Sequence, residues 1–196
     1  ERSIQSLGYR PNAIARFMAS GRTYTLACFS PNLTDFTFAS IIEGAEIEAR
    51  RHGYFLFTAS APDEATFHRL VDELVVSRRT EGLMIINPYI DNRQDHLPVN
   101  NPAVLIGAQS KHAHISSICL DELPAGRTAT RHLLDLGHTA IATITGPLIE
   151  DCTLERHEGY LQALKSAGIE PDPRLQVEGD WSATAGDLAV RRLLDS

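Results

Sequence analysis

The chain has 196 residues, 43% of them hydrophobic, and a formal net charge of −7. That apolar content is ample for a core, and the acidic balance excludes a body coated in nucleic acid, so any DNA contact must be local. No run approaches the roughly 18 apolar residues that span a bilayer, and Cys28, Cys119 and Cys152, odd in number and widely spaced, point to thiols in a reducing compartment.

Residues 1–24 carry charge of the opposite sign: four arginines against Glu1, with 14 basic and 24 acidic side chains in the remainder. Pro11 suits a first helical turn and Asn12 can accept from orphan N–H groups. Gly21 closes the run about three turns later. Ile14, Phe17 and Met18 make one apolar face, with Arg10 and Arg16 away from it. The pattern predicts a short basic helix that stands apart from the body and contacts nucleic acid.

From residue 25 short apolar runs alternate with helical periodicity. Strands are predicted at 25–30, 54–59, 82–87, 103–107, 116–121, 139–146 and 175–179. Helices are predicted at 38–51, from Pro62 and Asp63 through Leu74, and at 123–136, 153–167 and 183–195. In the first helix Ile41, Ile42, Ala45 and Ala49 share a face; in the second, Phe67, Leu70, Val71 and Leu74 do. Residues 88–102 read as a polar surface connection, and a change of sheet is expected near Asp121. Apolar strands separated by crossover helices indicate parallel sheets covered on both faces. Only two strands follow residue 121, which would leave open edges and a thin core, so the natural chain is expected to extend past both ends.

Several side chains have types and positions suited to a ligand. Trp181, the only Trp, follows Gly179-Asp180 just past a strand's carboxyl end, where an indole can stack on a sugar's C–H face. Arg156, near the start of helix 153–167, can bind adjacent hydroxyls or a carboxylate in fork geometry, or else pair with Glu155 or Glu158 on its own helix. Asn87 ends a strand and can donate to and accept from a hydroxyl, or simply start the turn into Pro88. Asp121 can accept from a ligand or cap helix 123–136, with capping favoured, and Asp35 can cap helix 38–51. His112 and His114 form an H-x-H lacking further ligands at metal spacing, so no metal is expected. No phosphate-binding glycine loop, nucleophile elbow or organised acid–base pair appears, so neither an enzyme nor a cofactor is expected.

Six segments in order, LGYRPNAIARFMASGRT, FASIIEGAE with HGYFLF, EGLMIINP, HLLDLGHTAIATITGP, RHEGYLQALKSAGI and VEGDWSATAG, resemble the lactose/galactose repressor (LacI/GalR) family of bacterial transcription regulators. The resemblance implies an α/β, type I periplasmic-binding-protein-like core of two Rossmann-like subdomains with parallel sheets. Residues 1–24 would be a hinge helix and linker following a helix-turn-helix headpiece, 25–120 the N-terminal effector-binding subdomain, and 121–196 part of the C-terminal one.

The same resemblance implies a cytoplasmic homodimer, or a tetramer, that binds operator DNA and a small effector, a sugar or similar polyol, in the cleft between subdomains. Such a repressor is not an enzyme and is controlled through its hinge helices; a periplasmic sugar-binding transport protein of the same fold is the alternative. Met18 stands where the family places a Leu that wedges into the minor groove, with Asn12 and Arg16 beside it on the DNA. Arg156 occupies the Arg of the family's R-x-x-G-Y segment, and Phe38 stands where the family has an aromatic on the wall of the cleft. Phe38, Asn87, Asp121, Arg156 and Trp181 are thus the expected effector contacts. The chain departs from the lactose repressor at Gly107-Ala108-Gln109, where an Asp is absent, and at Cys152, which replaces a hydroxyl-bearing residue. Both departures imply a ligand other than a galactoside.

Overall fold

The computed structural model describes residues 21–195. The basic helix expected ahead of Gly21, with Asn12, Arg16 and Met18, lies outside the described residues.

β1 (Thr25–Ser30) leads into α1 (Phe36–Arg51), β2 (Phe55–Ser60) and α2 (Glu64–Leu70), which runs on as a π-helical turn over Val71–Val76. β3 (Gly82–Ile86), a 3₁₀ turn (Arg93–His96), β4 (Ala103–Ile106) and β5 (Ser116–Ile118) follow. Then come α3 (Glu122–Asp135), β6 (Thr143–Thr145), α4 (Asp151–Ser166), a 3₁₀ turn (Pro173–Leu175), β7 (Gln176–Glu178) and α5 (Ala183–Leu194). β2-β1-β3-β4-β5 is the order of one sheet, and β6-β7 form a second. β1 lies parallel to both β2 and β3, with Thr25 opposite Phe55 and Leu26 opposite Gly82, and β6 is parallel to β7. The α/β class with parallel pairing is the one the apolar strands predict.

The described residues form two compact units, one of residues 21–86, 92–104 and 112–115, the other of residues 87–91, 105–111 and 116–195. In the first, Ala27, Cys28 and Phe29 of the central strand are buried with Phe67, Val71, Leu83 and Ile85. Phe29 meets Phe67 edge-to-face with centroids 5.7 Å apart. Asp35 caps α1 as expected, its Oδ1 accepting from the N–H groups of Thr37 (2.8 Å) and Phe38 (3.1 Å).

The second unit is organised by the crossing of α3 and α4. Gly126 and Gly159 face each other's helix so closely that a Cβ on either would overlap a backbone carbonyl, of Arg156 and Leu123 respectively. Beneath the crossing Ile141, Tyr160 and Leu164 form a core joined by Leu134, Leu161 and Ile169. The Tyr160 hydroxyl donates to the Ile141 carbonyl at 2.9 Å, satisfying the one polar atom that burial of this ring would strand.

Five expectations need correction. The strand expected over 139–146 narrows to Thr143–Thr145, because its ladder with β7 holds only three residue pairs. The strand expected over 116–121 ends at Ile118. The connection 88–102 is not all surface: Arg93 and Gln94 are buried, and the Arg93 guanidinium donates to the Ala61 carbonyl at 2.7 Å and lies over the Phe67 ring. Carbonyl acceptors and an aromatic face replace the water that this cation loses. Asp121 holds the N-cap position of α3, but its side chain makes no capping bond there. On α1, only Ala49 of the expected apolar face is fully buried.

Candidate functional site

In the second unit the chain leaves β6 and β7 at their carboxyl ends, the place where parallel sheets present loops to ligands. From β6 it passes through Gly146 and Pro147 into the start of α4; from β7 it passes through Gly179 and Asp180 to Trp181. Trp181 has φ of 65°, a left-handed conformation that costs a side-chain-bearing residue on the order of 1–3 kcal/mol. Two contacts hold it there. Its indole lies over the bare Cα of Gly146, where any Cβ would overlap the ring, and its Nε1 donates to Glu150 Oε2 at 2.7 Å. The ring is still 53% exposed, so a face remains available for stacking.

Arg156 projects from the second turn of α4, its guanidinium carbon 5.8 Å from the Trp181 ring centre. It pairs with neither Glu155 nor Glu158. Its Nε and Nη2 donate to the two carboxylate oxygens of Glu122 at 2.6 and 2.8 Å, a bidentate fork across the α3–α4 crossing. Glu122 is buried while Arg156 is exposed, and its hydrogen bonds to the carboxylate raise the guanidinium's pKa above its ordinary value. Burial pushes the Cys152 thiol and the Asp151 carboxyl up as well.

Arg156 and Trp181 border a cavity of about 240 Å³ whose walls also include Gly146, Thr153, His157 and Tyr160, with the length of β6 and the facing side of α3. Thr153 Oγ1 lies in its wall, buried and without a hydrogen-bond partner among the described residues. A buried hydroxyl left in that state is stabilised by anything that brings it a donor or acceptor. Among the described residues no cluster of His, Cys, Asp and Glu could hold a metal ion, and no helix is long and apolar enough to cross a membrane.

The family described as "Periplasmic binding proteins and sugar binding domain of LacI family" matches residues 23–196. The chain belongs to this family. It is 26% identical to the HTH-type transcriptional repressor CytR of Escherichia coli K12 over 200 residues, covering all of this chain and 58% of CytR. It is 31% identical over 207 residues to the HTH-type transcriptional regulator CelR of Thermobifida fusca, covering all of this chain and 60% of CelR. Among solved structures, a CelR–cellobiose complex matches with a TM-score of 0.76 at 28% identity, over 99% of this chain and 59% of that one. The chain therefore spans somewhat more than half the length of these LacI-family relatives. Their type I periplasmic-binding-like core is the fold that the parallel sheets of this chain belong to.

Of the expected effector contacts, the structure brings Arg156 and Trp181 together on one cavity. Asp121 is exposed, one residue ahead of Glu122. Asn87 is fully buried and ties its own turn: its Nδ2 donates to the Tyr89 carbonyl and to Asp91 Oδ1, and its Oδ1 accepts from the Tyr89 N–H. Phe38 is half-buried in the first turn of α1, in the other unit. Glu122, Glu150 and Thr153 were not singled out from the sequence. A carboxylate at a helix start reads as a solvated cap, and no local spacing marks its pairing with an arginine 34 residues on.

Proposed function

We propose that this chain is the effector-sensing core of a LacI-family transcription repressor, whose effector is a sugar or similar polyol. The observation that carries the reading is the convergence of the Arg156 guanidinium, the exposed Trp181 ring and the unpartnered Thr153 hydroxyl on one cavity that runs along β6 between α3 and α4. An aromatic face, a forked donor and a hydroxyl are the elements that recognise a polyol: the ring covers C–H groups while the polar groups take the hydroxyls. That the CelR relative was solved with cellobiose supports the same ligand class here. Phe38, Asn87 and Asp121 complete the proposed effector contacts.

The repressor acts in the cytoplasm, where operator DNA is, and its role is regulatory rather than catalytic. Asn12, Arg16 and Met18 are its proposed hinge contacts with that DNA, with Met18 as the apolar wedge. It works as a homodimer, which suits a palindromic operator. Phe55 and Phe57 support this: two residues apart on β2, they face the same way and are 77% and 46% exposed. The effector acts by differential affinity for the DNA-bound and DNA-free states, a coupling of roughly 1–3 kcal/mol.

The test is operator binding by the full-length protein against a panel of mono- and disaccharides that includes cellobiose. Salt-sensitive binding to a palindromic operator, changed at least fivefold by one saccharide, supports the proposal. Operator affinity indifferent to every saccharide, or no DNA binding at all, contradicts it.

A further inference from the structure

We infer that Glu81 is a positioning residue for operator binding, the centre of a clasp that fixes the direction from which the chain enters β1. The inference rests on the repressor reading above and adds to it a residue in the first unit that touches neither the cavity nor a proposed DNA contact.

Three stretches of chain meet at the Glu81 carboxylate. Tyr24, one residue ahead of β1, donates its backbone N–H to Oε1 at 2.9 Å. Arg22 donates Nη2 to Oε2 at 3.1 Å, and Tyr54, just before β2, donates its hydroxyl to the same oxygen at 3.1 Å. The Arg22 guanidinium also donates to the Tyr54 hydroxyl oxygen and lies 4.6 Å from the centre of the Tyr24 ring. That ring is in turn 5.8 Å from the Tyr54 ring. Burial acts to raise the pKa of the Glu81 carboxyl, yet the Tyr24 N–H, Arg22 and Tyr54 together hold it below its ordinary value.

A strand needs only ladder bonds to begin, and β1 has them. The Tyr24 carbonyl accepts from the Phe55 N–H at 2.9 Å, and the Thr25 carbonyl from the Glu81 N–H at 2.8 Å. An ionised side chain gripping the residues ahead of the strand is an addition to that ladder. It holds Tyr24 at φ of 50°, a left-handed conformation that a bulky residue keeps only where its surroundings compel it. Asn12, Arg16 and Met18, the proposed DNA contacts, precede Arg22 in the chain, so the clasp sets the point and direction from which they depart. A tether free to pivot at Thr25 must be ordered when DNA binds, a cost that a preset direction removes. A homodimer on a palindrome bears that cost once per protomer.

The experiment compares Glu81→Ala and Glu81→Gln with the unaltered full-length protein in two assays. One, without DNA, follows trypsin cleavage after Arg22 by mass spectrometry, since the guanidinium must leave Glu81 to enter the protease. The other measures salt-dependent binding to a palindromic duplex that the unaltered protein selects from a random-sequence pool. For Glu81→Ala the expected result is cleavage at least tenfold faster and duplex binding at least tenfold weaker. The slope of log affinity against log salt is expected to stay unchanged, because no phosphate contact is lost. Glu81→Gln keeps an acceptor for the Tyr24 N–H and loses the charge that holds Arg22. It is expected to change both readouts at least threefold, and it carries the test should Glu81→Ala fail to fold. Equal cleavage in all three proteins would overturn the inference, as would faster cleavage with duplex affinity unchanged. Tighter binding with a steeper salt slope would overturn it too, since Arg22 released from Glu81 would then itself be a phosphate contact. These outcomes leave the repressor reading standing, whereas selection of no duplex by the unaltered protein overturns that reading.

Discussion

The Cα of Gly126 on α3 lies so close to the carbonyl oxygen of Arg156 on α4 that no side-chain atom fits between them. This contact sets the depth of the helix crossing, and the crossing brings Glu122, one turn before Gly126, within reach of the Arg156 guanidinium. Backbone proximity thus positions the charged pair. Gly126→Ala is expected to force the helices apart and destabilise the protein by about 3 kcal/mol, the upper part of the range for overpacking. Urea denaturation measures this; an unchanged midpoint would mean that the crossing is not close in solution.

Glu122 is the more buried partner of the ion pair, its side chain 10% exposed against 44% for Arg156. Removing the arginine leaves a nearly buried carboxylate without its main donor. Arg156→Ala is therefore expected to cost about 2 kcal/mol, below the usual figure for a broken buried pair because the guanidinium is partly in water. Adding Glu122→Gln to Arg156→Ala is expected to recover part of the loss. A double-mutant cycle with no coupling between the two positions would refute the pairing.

Two aspartates occupy helix N-cap positions and only one of them caps. Asp35 accepts two backbone N–H bonds at the start of α1, while the Asp121 side chain accepts none at the start of α3. Asp35→Ala is expected to lower stability by about 1 kcal/mol. Asp121→Ala is expected to change it by less than about 0.5 kcal/mol. Thermal denaturation of the pair distinguishes them, and equal losses would mean that Asp121 does cap in solution.

The Cys28 thiol is fully buried in the central strand, and that burial pushes its pKa up to about 12. Since the thiolate is the nucleophile, native Cys28 is expected to resist iodoacetamide at pH 9 and to label once the protein is unfolded. The folded state holds this proton more tightly than the unfolded one. The stability it contributes is present below the ordinary value of 9 and declines as pH rises from there through about 12. Labelling of Cys28 at equal rates in native and denatured protein would contradict its placement.

What could be read from the sequence depended on whether a signal was local. β1 was legible because its apolar run is uninterrupted, and Asp35 because a cap needs only its next few residues. Arg156 and Trp181 were singled out through segments that resemble a family, and the structure brings the two to one cavity. Arg93 was not: fifteen residues of polar connection gave no sign that a guanidinium would turn inward onto Ala61 and Phe67. The length of β6 was hidden too, since a strand extends only as far as a neighbour pairs with it, and β7 is three residues long. Glu122 and Glu150 were missed for the same reason. Their partners come from other elements, and acidic residues at helix starts look alike whether they face water or an arginine.

The most direct measurement is the effect of Arg156→Ala on effector response in the full-length protein. A saccharide that changes operator affinity of the unaltered protein is expected to lose that effect in the variant, which should still bind the operator itself. An undiminished response to the same saccharide in Arg156→Ala would place the effector somewhere other than the cavity beside Trp181.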